Sequence, residues 1–165
     1  MSHPTLARTA LAVMAAQATF LGLWAAVAPR SFYDSFPGFG RHWVAVDGPY
    51  NQHLVRDFGN MNLALAVITA VAAVSLGTVM VRAVAAAWIV FTVLHFGYHV
   101  THLDPFEQSD AVATSDAVAT TDAVAMMVSL GLAVVLPVVA LVASRGPGPR
   151  ETVRDEPRPA STRGS

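Results

Sequence analysis

Four apolar runs of about 20 residues each set the strongest limit on how this chain can fold. They cover about residues 6–28, 54–76, 81–103 and 123–144. A helix of about 20 apolar residues spans the roughly 30 Å hydrocarbon core of a bilayer. Helices of soluble proteins carry a polar face beside the apolar one, whereas these runs are apolar on all sides. The sequence therefore predicts an all-α, multi-pass membrane protein, with residues 1–145 forming an antiparallel bundle of four transmembrane helices.

The composition supports this class and excludes several functions. Only 13% of the 165 residues are charged, against about 25% in soluble proteins. The chain has no cysteine, which excludes disulfide exchange, thiol catalysis and thiolate metal sites. A net charge of -1 gives no reason to expect a nucleic-acid partner. The expected partner is the lipid bilayer, with a second copy or another membrane protein as a candidate.

The arginines predict the orientation in the plasma membrane. Lysine is absent, and only Arg30, Arg41 and Arg56 of the ten arginines fall on one side of a four-span arrangement. The larger number of arginines on the other side, which carries both termini, predicts that this side is cytoplasmic. We expect the first run to be retained, because it exceeds the apolar core of about 7–15 residues in a signal peptide. Residues 146–165 are polar, with mixed charges, and predict a disordered cytoplasmic tail.

The connections carry weaker signals. Residues 31–47 are rich in Phe, Tyr and Trp, which predicts an ordered, interfacial outer loop. The sequence Asp-Gly-Pro at 47–49 predicts the start of the second helix, and Asp-Pro-Phe-Glu at 104–107 resembles a capping box. A repeated Asp-Ala-Val-Ala unit occupies residues 110–122 and indicates a duplicated insertion, forming a helical extension or a mobile outer loop.

Histidines on two of the predicted helices provide the main functional signal. His95, His99 and His102 lie four and seven residues apart, which places them on one helix face. His53 and Asp57 share a face of the second helix in the same way, together with Asn60. At a helix rise of about 1.5 Å per residue, both groups lie roughly 20–36 Å along their helices from the turn that joins helices two and three. The sequence therefore predicts one polar site at the extracytoplasmic end of helices two and three.

Several chemistries suit such a site. His95, His99 and His102 are candidate metal ligands, with His53 and Asp57 completing the set. Haem ligation by His53 with His95 or His99, a proton relay, and hydrolysis by metal-activated water are alternatives. The leading interpretation is a metal or haem site, with no catalytic residue assigned. The main alternative is a non-catalytic accessory subunit or interaction protein. A proton-coupled carrier ranks third, because four helices leave little room for alternating access.

The same residues also have structural interpretations. His102 is placed to cap the end of the third span, and His95 to hydrogen-bond across the bundle. Asp57 is placed to pair with Arg41 or Arg56.

Three motifs are the most distinctive parts of the chain: Phe36-Pro-Gly-Phe-Gly-Arg-His-Trp-Val, Pro49-Tyr-Asn-Gln-His-Leu-Val-Arg-Asp and His95-Phe-Gly-Tyr-His-Val-Thr-His-Leu-Asp. Together they resemble a family of small four-span membrane proteins from high-GC actinobacteria, over about residues 6–145. The resemblance implies a four-helix membrane fold and assigns neither an activity nor a catalytic residue. The repeat before the fourth span departs from the family's pattern.

Overall fold

Helices form most of the computed structural model, which describes residues 3–102 and 116–144. Within these ranges the helices are α1 (Pro4–Val27), α2 (Pro29–Ser35), α3 (Gln52–Ser75), α4 (Thr78–Thr101) and α5 (Asp116–Ala143). Two short antiparallel strands, β1 (Pro37–Gly38) and β2 (Arg41–His42), lie between α2 and α3.

Four of these helices are long and apolar enough to cross a membrane: α1, α3, α4 and the part of α5 at Val124–Ala143. Each of the first three has 24 residues, or about 36 Å of helix at about 1.5 Å per residue. The predicted helical class and the four apolar segments are confirmed. We call the end of the helices that carries residues 28–51 the hairpin end, and the end at Gly77 the turn end.

The closest helix contact joins α1 to α3 at Gly22 and Gly59. A Cβ atom added to Gly59 would lie 2.6 Å from the backbone nitrogen of Ala26, and one added to Gly22 would lie 2.9 Å from the carbonyl oxygen of Gly59. Only glycine allows two helix backbones to approach this closely. Buried small residues such as Ala18 and Ala66 continue the interface along both helices.

Helix α5 packs against both α1 and α4 and closes the arrangement at the turn end. There the backbone N–H of His3 donates to the carbonyl of Ala143 at 3.1 Å. Helix α4 meets α3 through a buried hydrogen bond of 2.9 Å from Trp88 Nε1 to Thr69 Oγ1. The core between these helices is built largely from alanine and valine.

Polar groups satisfy the ends of α3. At the turn end, Arg8 Nε donates to the carbonyl of Ala73 at 3.2 Å, where the last helical carbonyls lack partners in their own helix. At the other end, the Asn51 side chain accepts a hydrogen bond from the Leu54 N–H at 3.2 Å. The predicted start at residues 47–49 was therefore wrong: the helix begins at Gln52, because Asn51 supplies the N-terminal cap.

Helix α5 includes the second and third units of the Asp-Ala-Val-Ala repeat, since it begins at Asp116. The capping box predicted at residues 104–107, the first repeat unit at 110–115 and the tail after residue 145 lie outside the described residues. Pro137 lies inside α5, where it removes one backbone donor from the helix.

The segment between α1 and α3 forms an aromatic cluster over the hairpin end. Phe32 is 3% exposed, and its ring centroid lies 4.8 Å from that of Phe36 and 5.7 Å from that of Phe58 on α3. Trp24 at the end of α1 packs edge-on against Phe32, with the centroids 5.5 Å apart. The predicted aromatic loop is thus a packed layer on the ends of α1 and α3.

Hydrogen bonds hold the rest of this segment in place. The Tyr33 hydroxyl donates a hydrogen bond to the carbonyl oxygen of Gly48 at 2.5 Å. The carbonyl oxygen of Ala45 lies 3.3 Å from the same hydroxyl. Arg30 donates to Asp34 at 2.6 Å, which raises the pKa of Arg30 above its usual value. Both members of that pair are exposed, so it contributes little stability.

A two-residue turn, Phe39-Gly40, connects β1 to β2. Both residues have positive φ, 59° and 77°, as in the hairpin turns whose twist matches that of the strands. This backbone directs the Phe39 side chain away from the protein, where it is 100% exposed.

The contact at Gly59 gives the first prediction. We expect Gly59→Ala to destabilise the protein by about 1–2 kcal/mol, because overpacking at this contact outweighs the better helix propensity of alanine. The matched control is Gly131→Ala in α5, where an added Cβ meets nothing within 4 Å. It should be neutral or stabilising by up to about 1 kcal/mol. Unfolding of detergent-purified protein measures both, and equal effects would contradict the close contact.

The aromatic cluster gives the second prediction. Phe32→Ala should cost about 3–5 kcal/mol, because it removes a buried ring at the centre of the cluster. Phe39→Ala removes the same ring from a fully exposed site and should change stability by less than about 0.5 kcal/mol. The same unfolding measurement applies, and a Phe32→Ala protein as stable as Phe39→Ala would show that the cluster is not packed.

Candidate functional site

His95 and His99 lie on the inward face of α4. They continue the row of buried residues Val81, Trp88 and Thr92 at helical spacing. Beyond Thr92 no residue of α4 is fully buried, and both histidines are only partly buried. The inward face of α4 is therefore fully buried near the turn end and partly buried near the hairpin end, where the histidines lie.

The two imidazole rings contact each other. Their centroids are 4.8 Å apart and the ring planes are nearly perpendicular, at 88°. The His95 ring also stacks on Phe91, with centroids 5.5 Å apart and an interplanar angle of 9°. Two imidazoles one helical turn apart can ligate a single transition-metal ion, and the stacking on Phe91 restricts one of them.

The carboxylate of Asp47, in the loop before α3, lies beside Tyr98. Its Oδ1 accepts a hydrogen bond from the Tyr98 hydroxyl at 3.4 Å, and the Tyr98 ring packs edge-on against His99, with the centroids 5.3 Å apart. Asp47 was not predicted as a site residue from the sequence, where it marked only the expected helix start. Its position depends on the path of the loop, for which helical spacing provides no signal.

His102 does not continue the row of histidines. It lies just beyond the last residue of α4 with non-helical backbone angles, φ -132° and ψ 55°. Its ring stacks on Tyr98 with centroids 4.2 Å apart, and its Nδ1 lies 2.9 Å from the Tyr98 carbonyl oxygen. These contacts match the helix-end role that was the structural alternative for His102.

His53 and Asp57 form a second, separate pair on α3. His53 Nε2 and Asp57 Oδ2 are 3.2 Å apart, and the side chains are 87% and 57% exposed. Asp57 thus pairs with His53 of its own helix, whereas the sequence predicted Arg41 or Arg56 as its partner. The buried face of α3, including Gly59 and Asn62, lies on the other side of the helix.

The predicted five-residue site is therefore divided into two pairs and one helix-end residue. Among residues 3–102 and 116–144, no three His, Asp or Glu side chains are grouped so that they could hold a metal ion. Within the described residues, the predicted haem ligation by His53 with His95 or His99 is also not possible as arranged. His53 lies on the exposed side of α3 and does not face the α4 histidines. What the structure brings together is His95 and His99, with Tyr98 against His99 and Asp47 within 3.4 Å of the Tyr98 hydroxyl.

No family model, curated protein or solved structure matches the chain. The resemblance to the four-span actinobacterial family therefore stays an expectation.

Proposed function

We propose that this protein spans the plasma membrane four times and binds a transition-metal ion through His95 and His99 on the extracytoplasmic side. The observation that carries this proposal is the contact between two partly buried imidazoles, 4.8 Å apart at their centroids, one turn apart on α4. Neutral imidazole is a preferred ligand of Zn²⁺, Cu²⁺ and Ni²⁺.

The surroundings of the pair support a cation as the ligand. Asp47 accepts a hydrogen bond from Tyr98, whose ring contacts His99, and the negative charge of Asp47 would attract a divalent ion bound there. Two imidazoles leave the remaining coordination positions to water, and an ion held in this way exchanges more readily than one in a closed four-ligand site. This favours binding or transfer of a metal over a permanent structural ion. It also argues against hydrolysis, because catalytic zinc generally has three protein ligands.

The distribution of arginine supports the proposed orientation. Arg8 lies at the turn end of α1, close to the last residues of α3, and Arg82 lies in the first turns of α4. Arg30 and Arg41 lie in the segment at the hairpin end. Helix α5 ends at the turn end, and five arginines follow it in the sequence, so the positive-inside rule favours a cytoplasmic location for that end. The four long helices then form an up-down bundle, with the aromatic cluster in the outer interface.

The metal site is tested by calorimetry, which measures the binding of Zn²⁺ and of Cu²⁺ to detergent-purified protein without a histidine tag. We expect His95→Ala and His99→Ala each to weaken binding by about tenfold or more, because each removes one of two imidazole ligands.

The matched controls are His53→Ala and His102→Ala, which should leave binding unchanged because these rings contact other partners. Equal losses in all four variants would indicate a larger site. Wild-type protein that binds neither ion would contradict the proposal.

The orientation is tested with single cysteines, since the chain contains none. In intact cells, a membrane-impermeant maleimide should label Phe39→Cys, whose side chain is fully exposed at the hairpin end. Ser165→Cys should be labelled only after the membrane is permeabilised. The reverse pattern would place the histidine pair on the cytoplasmic side.

A further inference from the structure

We infer that the exposed face of α3 pairs two copies of this chain side by side in the membrane. The inference rests on the proposed membrane-spanning arrangement and is independent of the metal site. We call this surface the α3 face and define it by six residues: His53, Asp57, Asn60, Ala64, Val67 and Val71.

These residues form one stripe. Successive members are four, three, four, three and four residues apart, so at about 100° per residue they stay within a narrow arc of the helix. All six are exposed. The buried residues of α3, among them Gly59, Asn62 and Ala66, occupy the opposite arc and pack against the rest of the protein. The α3 face therefore points away from the other helices, towards lipid.

Asn60 lies at a depth where lipid is an unfavourable neighbour. Measured along the helix from Ser75, it lies about 22 Å away, within the roughly 30 Å hydrocarbon thickness, whereas Asp57, about 27 Å away, lies beside Phe58 at the level of the aromatic cluster. Ionisable and amide side chains inside a membrane normally face protein, because lipid offers them no hydrogen-bond partner. A covered α3 face resolves this conflict.

A second copy of the chain fits this surface because the stripe is complementary to itself. Copies inserted in the same direction place their polar residues at equal depth. His53 and Asp57 are a base and an acid on adjacent turns, 3.2 Å apart within one helix. Across a two-fold axis along the membrane normal, His53 of each copy can pair with Asp57 of the other.

The remainder of the stripe suits close packing of parallel helices. Asn60 carries both a donor and an acceptor, so two copies can form reciprocal amide hydrogen bonds. Ala64, one turn further, is small enough to let the backbones approach. Val67 and Val71 then continue the seam with the alternating three- and four-residue spacing of helices that supercoil around each other.

The test is disulfide cross-linking of single-cysteine variants of the full chain in native membranes. Ala64→Cys lies at the centre of the stripe, and its matched control is Ala70→Cys. Both are exposed alanines on α3, but six residues turn the helix by about 600°, so the control lies about 120° away. Iodine is the oxidant, because copper complexes would also bind histidine.

We expect Ala64→Cys to form covalent dimers at least about tenfold faster than Ala70→Cys. Adding Asp57→Leu and Asn60→Leu to the Ala64→Cys chain should reduce the rate to near that of the control, because the paired polar groups are removed. These leucines lie on the exposed arc, so the fold should tolerate them, and an unchanged elution volume of detergent-purified monomer checks this.

Two results would overturn the pairing. One is equal cross-linking of Ala64→Cys and Ala70→Cys, which is also the result expected if lipid or a different protein covers the α3 face. The other is cross-linking that the two leucines do not change. Labelling of Ala64→Cys by an impermeant maleimide in sealed membranes would instead overturn the membrane-spanning arrangement, and the pairing with it. A failure of the pairing can thus be distinguished from a failure of the membrane-spanning arrangement.

Discussion

The contact between α1 and α3 at Gly22 and Gly59 determines how the rest of the chain is arranged. In a bilayer, apolar helices gain little from burying apolar surface, because lipid is as apolar as leucine, so close van der Waals packing has to hold them together. Gly22 and Gly59 allow that packing by bringing backbone atoms into contact. The ring of Phe58, directly before Gly59, also receives Phe32 of the aromatic cluster. The same region of α3 therefore positions both α1 and the segment at the hairpin end.

The histidine pair occupies the part of the inward face of α4 that is only partly buried. Near the turn end, Trp88 fills the space between the helices and donates to Thr69. Beyond Thr92, His95 and His99 lie on the same face of α4 at intermediate burial. Partial burial limits the access of water to the rings without removing it. It is the condition in which an imidazole pair can be both ordered and reachable by an ion.

Much of the fold follows from the sequence, because length and hydropathy define the apolar helices and Pro29 and Gly77 mark their boundaries. The site was harder to predict. The spacing of His95 and His99 correctly placed them on one face, but His102 left that face because α4 ends at Thr101.

The relative rotation of α3 had no signal in its hydropathy, since an all-apolar helix has no preferred face. The small residues around Gly59 turn towards α1, and this directs His53 and Asp57 away from α4. Asp47 approaches Tyr98 from a loop, and helical periodicity does not predict the path of a loop.

The hydrogen bond between His3 and Ala143 has a consequence for biosynthesis. It joins the beginning of α1 to the end of α5, so α1 contacts both an early neighbour, α3, and the helix that is synthesised last. On the ribosome, α1 and α3 can associate while α5 is still unmade. In the proposed membrane-spanning arrangement, the face of α1 that later receives α5 would remain in lipid, or be held by an insertion factor, until translation is nearly complete. A chain truncated before α5 would then leave that face of α1 uncovered.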